Sequence, residues 1–210
     1  MSEITKTRII DAAGEVFAEK GFEQATIREI CKLADVNLAA INYHFGDKQK
    51  LYIEAVKSAH CEGEEDEPLL IPAEVPAEKK LYYFIEHMMT DMLDRESPTW
   101  HVELMMREMA RPTLACSELV QSYIGPKFSI LMSIIEEMVP ATISLSKKHL
   151  LAFSVVGQCL LYRFHRPIGK LLIGDEEFES LFDVSYLADH ICEFSLRGIQ
   201  SISDSQEASS

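Results

Sequence analysis

The sequence predicts an all-α protein with an N-terminal three-helix helix-turn-helix domain and a larger C-terminal helical domain. Apolar residues recur every three or four positions over most of the 210 residues, which is the spacing of one helix face. Proline or glycine closes most of these periodic segments, as Gly21, Pro112 and Pro140 do. No stretch shows a convincing strand pattern.

The first predicted helix covers residues 5–20 and ends at Gly21. Ile9, Ala13 and Phe17 share one of its faces, and charged residues occupy the rest of its surface. We expect this apolar face to form the core on which the following helices pack, because large apolar residues on a periodic face are usually buried.

Residues 26–48, TIREICKLADVNLAAINYHFGDK, predict a helix, a tight turn, a short second helix and the start of a third. Thr26 and Glu29 have the spacing of a capping box, in which two side chains satisfy free backbone N–H groups reciprocally. Residues 35–37 interrupt the helical spacing, and Asn37 is suited to cap the second helix. Two helices joined by such a turn indicate a helix-turn-helix.

The second helix of this motif has barely two turns before Gly46, so the rest of the domain must hold it in place. Ile41 and Phe45, four residues apart, can anchor it inward. Asp47 can cap the next helix, whose N-terminal amides suit a phosphate. The predicted DNA-contacting residues are Thr26, Arg28, Asn37, Leu38, Ala39, Ala40, Asn42, Tyr43, His44 and Lys48.

These side chains differ in what they can contact. Arg28 and Lys48 suit phosphates, whereas the amide of Asn42 can bond a base edge. Ala39 and Ala40 can allow close approach or meet a thymine methyl group. Tyr43 suits the DNA backbone better than a base, and His44 suits either.

From residue 5 to about 56 the chain resembles the DNA-binding domain of the TetR/AcrR family of bacterial repressors, through T-I-R-E-I-C, A-D-V-N and I-N-Y-H-F-G-D-K-Q-K-L. V-N-L-A-A-I-N-Y-H-F-G, with R-E-M-A-R-P-T at residues 107–113, resembles the branch with a CerR/CecR-type C-terminal domain. The resemblance implies a dimer whose C-terminal domains bind inducers. Asn42 departs from the Tyr common at its position in the wider family.

The net charge of −14 is distributed unevenly. Residues 1–50 hold seven basic and eight acidic residues, whereas the remaining 160 hold 13 and 26. DNA binding through phosphates favours basic proteins, so we expect a few placed contacts, weak nonspecific binding and modest salt dependence.

The acidic, proline-containing run from residue 61 to 77 marks a domain boundary, because like charges and prolines favour an extended linker. Beyond it we predict helices over about 79–96, 99–110, 119–139, 146–164 and 183–198. The predicted parts are a helix-turn-helix domain (1–50), a connecting helix and linker (51–76), a helical effector-binding and dimerisation domain (77–200) and a disordered tail (201–210).

Apart from Met1, every methionine lies between residues 88 and 138. These flexible side chains suit a cavity for a small apolar effector, although ordinary helical core is the alternative for each of them. His101 and Glu108 could instead be satisfied by helix neighbours or solvent. The predicted effector contacts are Met88, Met92, Trp100, His101, Met105, Glu108, Phe128 and Met132.

The helix over 146–164 is apolar nearly all round, and the last helix has an apolar seam that needs a partner. Two such helices from each of two chains would form a four-helix interface, which is how similar family members dimerise. Burial within one chain is the alternative. The predicted homodimer contacts are Phe153, Val156, Leu160, Leu187 and Ile191.

Several other classes fit poorly. The N-terminus lacks a signal peptide and no apolar run is long enough to span a membrane, so we expect a cytoplasmic protein. The five cysteines form no C-x-x-C pair, although a redox switch at Cys61 is a minor alternative. His60 and Cys61 do not enforce a metal site, and we expect no metal or cofactor. No catalytic motif supports an enzyme; a helical adaptor that binds protein is the remaining alternative.

Overall fold

The computed structural model describes residues 3–60, 69, 71–72, 74–93 and 98–207, with the side chains of Pro167 and residues 203–207 excepted. All regular structure within these ranges is helical, which confirms the predicted fold class. The α-helices are α1 (Glu3–Gln24), α2 (Ile27–Leu33), α3 (Leu38–His44), α4 (Lys48–His60), α5 (Ala77–Leu93), α6 (Thr99–Ala110), α7 (Leu114–Leu119), α8 (Gly125–Met138), α9 (Leu145–Phe164), α10 (Arg166–Ile173), α11 (Asp175–Leu181) and α12 (Val184–Glu207), and a π-helical segment spans Val120–Ile124.

The chain divides into two compact units. The head unit is drawn from Met1–Asp66 and Glu96–Ile124, and the body unit from Glu67–Arg95 and Gly125–Ser210. The head unit therefore includes α6 and α7, although the predicted domain boundary before residue 77 places them in the C-terminal domain. Helical periodicity identifies the buried face of a helix, but it does not identify the helix against which that face packs.

The core of the head unit is formed where α1, α4 and α6 pack on one another. Phe17 of α1 is fully buried and contacts the ring of Tyr52 in α4 edge-on, with ring centroids 4.8 Å apart. Trp100 of α6 lies so close to Gly14 that a Cβ atom at Gly14 would be 2.3 Å from the indole. Gly14 is therefore required for this packing of α6 on α1.

The body unit is built on α5, α8, α9 and α12, which share one apolar core. The short helices α10 and α11 pack on each other, and Phe178 is buried and stacks on Phe182 at 3.8 Å. Neither helix is predicted from the sequence, because Pro167, Gly169 and Gly174 dilute the helical pattern of this segment.

The last helix continues to Glu207, where the sequence predicts a disordered tail from residue 201. Ile199 is buried and Ile202 packs against the body core, so α12 gains apolar contacts beyond Gly198. A glycine inside a helix costs only about 1 kcal/mol relative to alanine, and such contacts can offset that cost. Among the described residues, no helix combines the length and apolar character required to cross a membrane.

Candidate DNA-binding site

The start of α2 is fixed by the predicted capping box, which the structure confirms. The Glu29 backbone N–H donates to Thr26 Oγ1 at 3.3 Å, and the Thr26 backbone N–H donates to Glu29 Oε2 at 3.1 Å. The Lys20 ammonium donates to the other oxygen of Glu29. These hydrogen bonds, first from Lys20 and then from Thr26, lower the pKa of Glu29 to about 2.

The turn between α2 and α3 is held from α1. Asp35 adopts a left-handed backbone conformation with φ 50°, which reverses the chain after α2. The guanidinium of Arg8 donates to the carbonyl oxygens of Ala34 and Asp35. The Arg8 side chain of α1 therefore holds the turn through two of its backbone carbonyl oxygens.

The short helix α3 begins and ends as predicted. Asn37 Oδ1 accepts the Ala40 backbone N–H at 3.0 Å, and Gly46 after the helix has φ 82°. Ile41 and Phe45 are buried in the head core. The helix is thus anchored by the rest of the unit, as its length requires.

The outer face of α3 carries most of the predicted contacts. Leu38 is 55% exposed and Tyr43 is 71% exposed, and Ala39 and Asn42 are also exposed. Arg28 is exposed on the preceding helix. An exposed short helix held by a rigid unit is the form in which a helix-turn-helix presents side chains to a major groove.

Ala40 does not belong to this face, so its predicted DNA contact is corrected. It is only 5% exposed and packs in the head core. Ala40 and Ile41 are adjacent on the inner face of α3, and both are buried. The buried face of this helix therefore includes Ala40 in addition to Ile41 and Phe45.

His44 is only half-buried, but its Nε2 atom is fully buried and has no hydrogen-bond partner within the described part of the chain. Its ring packs edge-on against Tyr43, with centroids 5.1 Å apart. His44 is therefore less available to DNA than the sequence predicts.

Three other predicted residues already have structural roles. Thr26 and Asn37 cap helices, and Lys48 donates to the carbonyl oxygen of Glu23 at 3.3 Å. The Lys48 ammonium also lies 4.7 Å from the centroid of the Phe22 ring. Asp47 Oδ1 accepts a backbone N–H at 2.8 Å and caps α4, as predicted.

Helix α6 packs on α1 and α4, and α7 packs on α4, a packing that no local sequence signal indicates. Arg107 Nε and Nη2 donate to the carbonyl oxygens of Ala18 and Glu19, at 3.2 and 3.0 Å. These carbonyls lie near the end of the regular part of α1, where a cation is favoured by the helix dipole. Arg107 therefore connects α6 to α1.

The adjacent Glu108 connects α6 to α4 and α7. Its side chain is buried, with 1% exposure, and Oε2 accepts the Tyr52 hydroxyl at 2.6 Å. Oε1 accepts the backbone N–H and hydroxyl of Thr113 at 2.6 and 2.7 Å, and the Cys116 N–H at 3.1 Å. All these hydrogen-bond donors to Glu108 come from the protein itself. The motif R-E-M-A-R-P-T therefore contains the residues that connect α6 to α1, α4 and α7.

The predicted effector residues do not lie in one core. Half of them belong to the head unit, where the side chains of Trp100, His101 and Glu108 are buried and Met105 packs on the core. The others pack, half-buried, against the core of the body unit: Met88, Met92, Phe128 and Met132.

The predicted dimer residues divide in a similar way. Phe153 is 61% exposed on α9, and Val156 and Leu160 are half-buried. Leu187 and Ile191 are buried within their own chain, so for these two the alternative of intrachain burial is correct. The exposed apolar side chains of α12 are instead Tyr186 and Phe194.

A helix-turn-helix whose second helix is exposed and held by the surrounding helices is the architecture of DNA-binding transcriptional regulators. Residues 9–55 match the family described as bacterial regulatory proteins, tetR family. Residues 77–199 match the C-terminal domain of the HTH-type transcriptional dual regulator CecR. The chain belongs to the TetR family and carries a CecR-type C-terminal domain.

Two curated relatives match over a short stretch of the chain. The chain is 44% identical over 63 residues to the "Probable HTH-type transcriptional regulator YttP" of Bacillus subtilis, a stretch that covers 30% of each protein. It is 38% identical over 52 residues to the biofilm operon icaADBC negative transcriptional regulator IcaR of Staphylococcus aureus, covering 25% of this chain and 28% of that protein. The matched stretches thus span less than a third of these relatives.

The fold as a whole is similar to a solved structure. The Bacillus subtilis transcriptional regulator FadR, in complex with stearoyl-CoA, is 20% identical, with a TM-score of 0.61. The likeness covers 92% of this chain and 98% of FadR. At this identity the comparison establishes the shared fold.

Proposed function

We propose that this protein is a ligand-responsive repressor that binds a palindromic operator as a homodimer and is released from it by a small effector with an apolar part. The observation that carries the proposal is the exposed face of α3, where Leu38, Ala39, Asn42 and Tyr43 project from a helix whose inner face is buried. The name of the relative IcaR as a negative regulator supports repression.

Within this proposal each exposed side chain has a chemical role. The amide of Asn42 bonds a base edge, because Asn offers paired donor and acceptor groups. Ala39 allows close approach of α3 to the groove, and Tyr43 contacts the DNA backbone. Arg28 contacts a phosphate from α2. Thr26 and Asn37 contribute through the helix starts that they cap.

The homodimer is proposed to form through the exposed apolar faces of α9 and α12. Leu150, Phe153, Gly157 and Leu161 follow one another at helical spacing along α9, and all are exposed. Gly157 has open space around it, so a partner helix can approach closely. A twofold dimer would present two copies of α3 to a pseudo-palindromic site.

Ligand response is proposed to act by coupled equilibria. An effector bound in the body unit would favour a spacing of the two heads that differs from the DNA-competent spacing, so effector and DNA weaken each other equally. Within the head, Arg107 and Glu108 make α6 the element whose displacement would reach α1 and α4. Met88, Met92, Phe128 and Met132 supply adaptable apolar contacts in the body.

Selection of bound sequences from a random DNA pool tests the proposal. We expect an enriched site with twofold symmetry, whose half-sites lie about one helical turn of DNA apart or a multiple of it. A small-molecule panel added to the same assay should then reveal compounds that release the DNA. Enrichment of no sequence by the pure protein would contradict the proposal and favour an adaptor.

Activation is the second candidate, because the matching C-terminal family is named for a dual regulator. A reporter gene placed behind the selected site separates the two. Deleting the regulator raises expression if it represses and lowers expression if it activates.

A further inference from the structure

An open cleft of about 620 Å³ lies on the body unit, where α5 meets the start of α12. One wall is a single face of α5, because Tyr83, Glu86, His87 and Thr90 follow one another at helical spacing. The other lining residues are Leu69, Pro72, Phe182, Asp183, Val184 and Ser185.

The formal charges that line this cleft are negative. Glu86 and Asp183 contribute carboxylates, and the residues described along its walls include no lysine or arginine. The hydroxyl of Tyr82 donates to Glu86 Oε1 at 2.9 Å, so a neutral phenol orients this carboxylate. A carboxylate has about four lone-pair sites, which leaves Glu86 able to accept further hydrogen bonds from a ligand.

Asp183 is held in an equally defined position. Its Oδ1 atom accepts the Tyr186 backbone N–H at 2.8 Å and caps α12, and its side chain is exposed. Both carboxylates are therefore oriented by hydrogen bonds that do not neutralise their charge. A charge-assisted hydrogen bond to such a group is about twice as strong as a neutral one.

Aromatic and apolar groups complete the lining. Tyr83 is exposed and Phe182 is half-buried, and both line the cleft. The Phe182 ring already contacts the guanidinium of Arg166, 5.0 Å from its centroid, and stacks on Phe178 at 3.8 Å, so Phe182 contributes apolar surface to the cleft. Leu69 and Val184 add aliphatic surface.

We propose that this cleft binds an organic cation, specifically an amine or amidine with an apolar chain or ring. The ammonium would donate charge-assisted hydrogen bonds to the carboxylates of Glu86 and Asp183, and the apolar part would lie against Tyr83 and Phe182. A regulatory role for this ligand rests on the ligand response proposed above, whereas its binding does not. An anionic ligand such as the stearoyl-CoA bound by FadR would meet two carboxylates here.

Calorimetry on the full chain with three probes of equal chain length tests the charge preference. Hexylammonium should bind at least about tenfold more tightly than hexanol, and hexanoate should bind most weakly. Equal affinities, tighter binding of hexanoate, or no binding of hexylammonium would each overturn the proposal.

Two substitutions locate the site without disturbing the helices. Glu86→Gln and Asp183→Asn should each weaken hexylammonium binding about tenfold and leave hexanol binding unchanged. Asn is as good a helix cap as Asp, so Asp183→Asn keeps the start of α12. Glu176→Gln, an exposed glutamate of α11, is the matched control. Hexylammonium binding that neither cleft substitution weakens would refute this location.

A separate DNA-binding titration distinguishes the site from its role. If hexylammonium occupies the cleft by calorimetry and lowers affinity for the selected DNA, the cleft is the effector site. If it binds with the expected sensitivity to both substitutions but leaves DNA affinity unchanged, the cation site stands and its regulatory role is refuted.

Discussion

The Tyr52 hydroxyl of α4 donates a hydrogen bond of 2.6 Å to Glu108 Oε2 of α6, and both side chains are buried in the head unit. Burial raises the pKa of Tyr52 strongly, and the hydrogen bond to the Glu108 carboxylate raises it further. This bond joins the helix that follows the DNA-binding motif to a helix from the middle of the chain. Removing this bond therefore tests how much the packing of α6 on α4 stabilises the head unit.

Tyr52→Phe should lower the free energy of unfolding by about 1–2 kcal/mol at neutral pH, because Glu108 loses one donor but keeps those of Thr113 and Cys116. Urea unfolding followed by the fluorescence of Trp100 measures this change, since the only tryptophan lies in the head core. Tyr43→Phe, at an exposed tyrosine of the same unit and measured without DNA, is the control.

Tyr52→Phe should also change how the free energy of unfolding depends on pH above pH 10. A folded-state pKa above the ordinary 10.0 means that Tyr52 contributes stability below pH 10, and that this is lost as pH rises through the folded value. The variant should lose stability less steeply above pH 10 than the parent. Parallel curves would show that Tyr52 does not titrate in this way.

Glu29→Gln should weaken the acid dependence of stability. The carboxyl pKa is lowered from 4.5 to about 2, so its contribution is present above pH 4.5 and is lost as pH falls toward 2. The exposed position makes the effect modest. Trp100 fluorescence across this pH range should show a shallower decline for the variant, whereas Glu23→Gln, at an exposed glutamate of α1, should follow the parent.

The helix-turn-helix could be predicted from the sequence because its signals are local. Thr26 and Glu29 are three residues apart, as are Asn37 and the N–H that it caps, so the pattern contains both partners of each hydrogen bond. Gly46 similarly marks the end of α3 through its own backbone conformation. Caps of this kind require no knowledge of distant packing.

The role of α6 could not be predicted in that way. Arg107 bonds a carbonyl 89 positions earlier in the chain, and Trp100 fits only because Gly14 has no side chain. The same limit applies to Leu187 and Ile191, whose spacing predicts a buried face but not whether the burial is within one chain. Helical spacing specifies a face, and its partner depends on the tertiary fold.

Asn42→Ala should reduce affinity for the selected operator by about 5- to 150-fold for each half-site that loses the contact, and relax sequence preference at one position of each half-site, because a bidentate base contact is worth about 1–3 kcal/mol. Competition binding against single-base variants of the site measures both effects. Gln200→Ala, which removes an exposed amide from α12, is the matched control. Unchanged affinity and preference in the Asn42 variant would exclude its role in base recognition.

Phe153→Glu should convert the homodimer to monomer, because a large exposed aromatic side chain at the centre of an interface typically contributes at least about 2 kcal/mol. Sedimentation at micromolar concentration measures the change, and Leu114→Glu, at an exposed leucine of the head, is the control. A monomeric parent protein would refute the dimer.

Ile191→Ala should destabilise the fold by about 2–5 kcal/mol, since that side chain is buried.

Lys48→Ala tests whether the few basic residues of the head bind phosphates. Its ammonium rests on Glu23 O and the Phe22 ring, so a phosphate contact requires it to turn outward or to share these partners. If it contacts one phosphate per head, the variant should bind all sequences more weakly and its salt slope should fall by about two per dimer. Asn42→Ala should leave that slope unchanged, because a base contact releases no counterion. A parent slope as steep as about −10 would contradict the small number of phosphate contacts expected from a head with seven basic and eight acidic residues in its first 50.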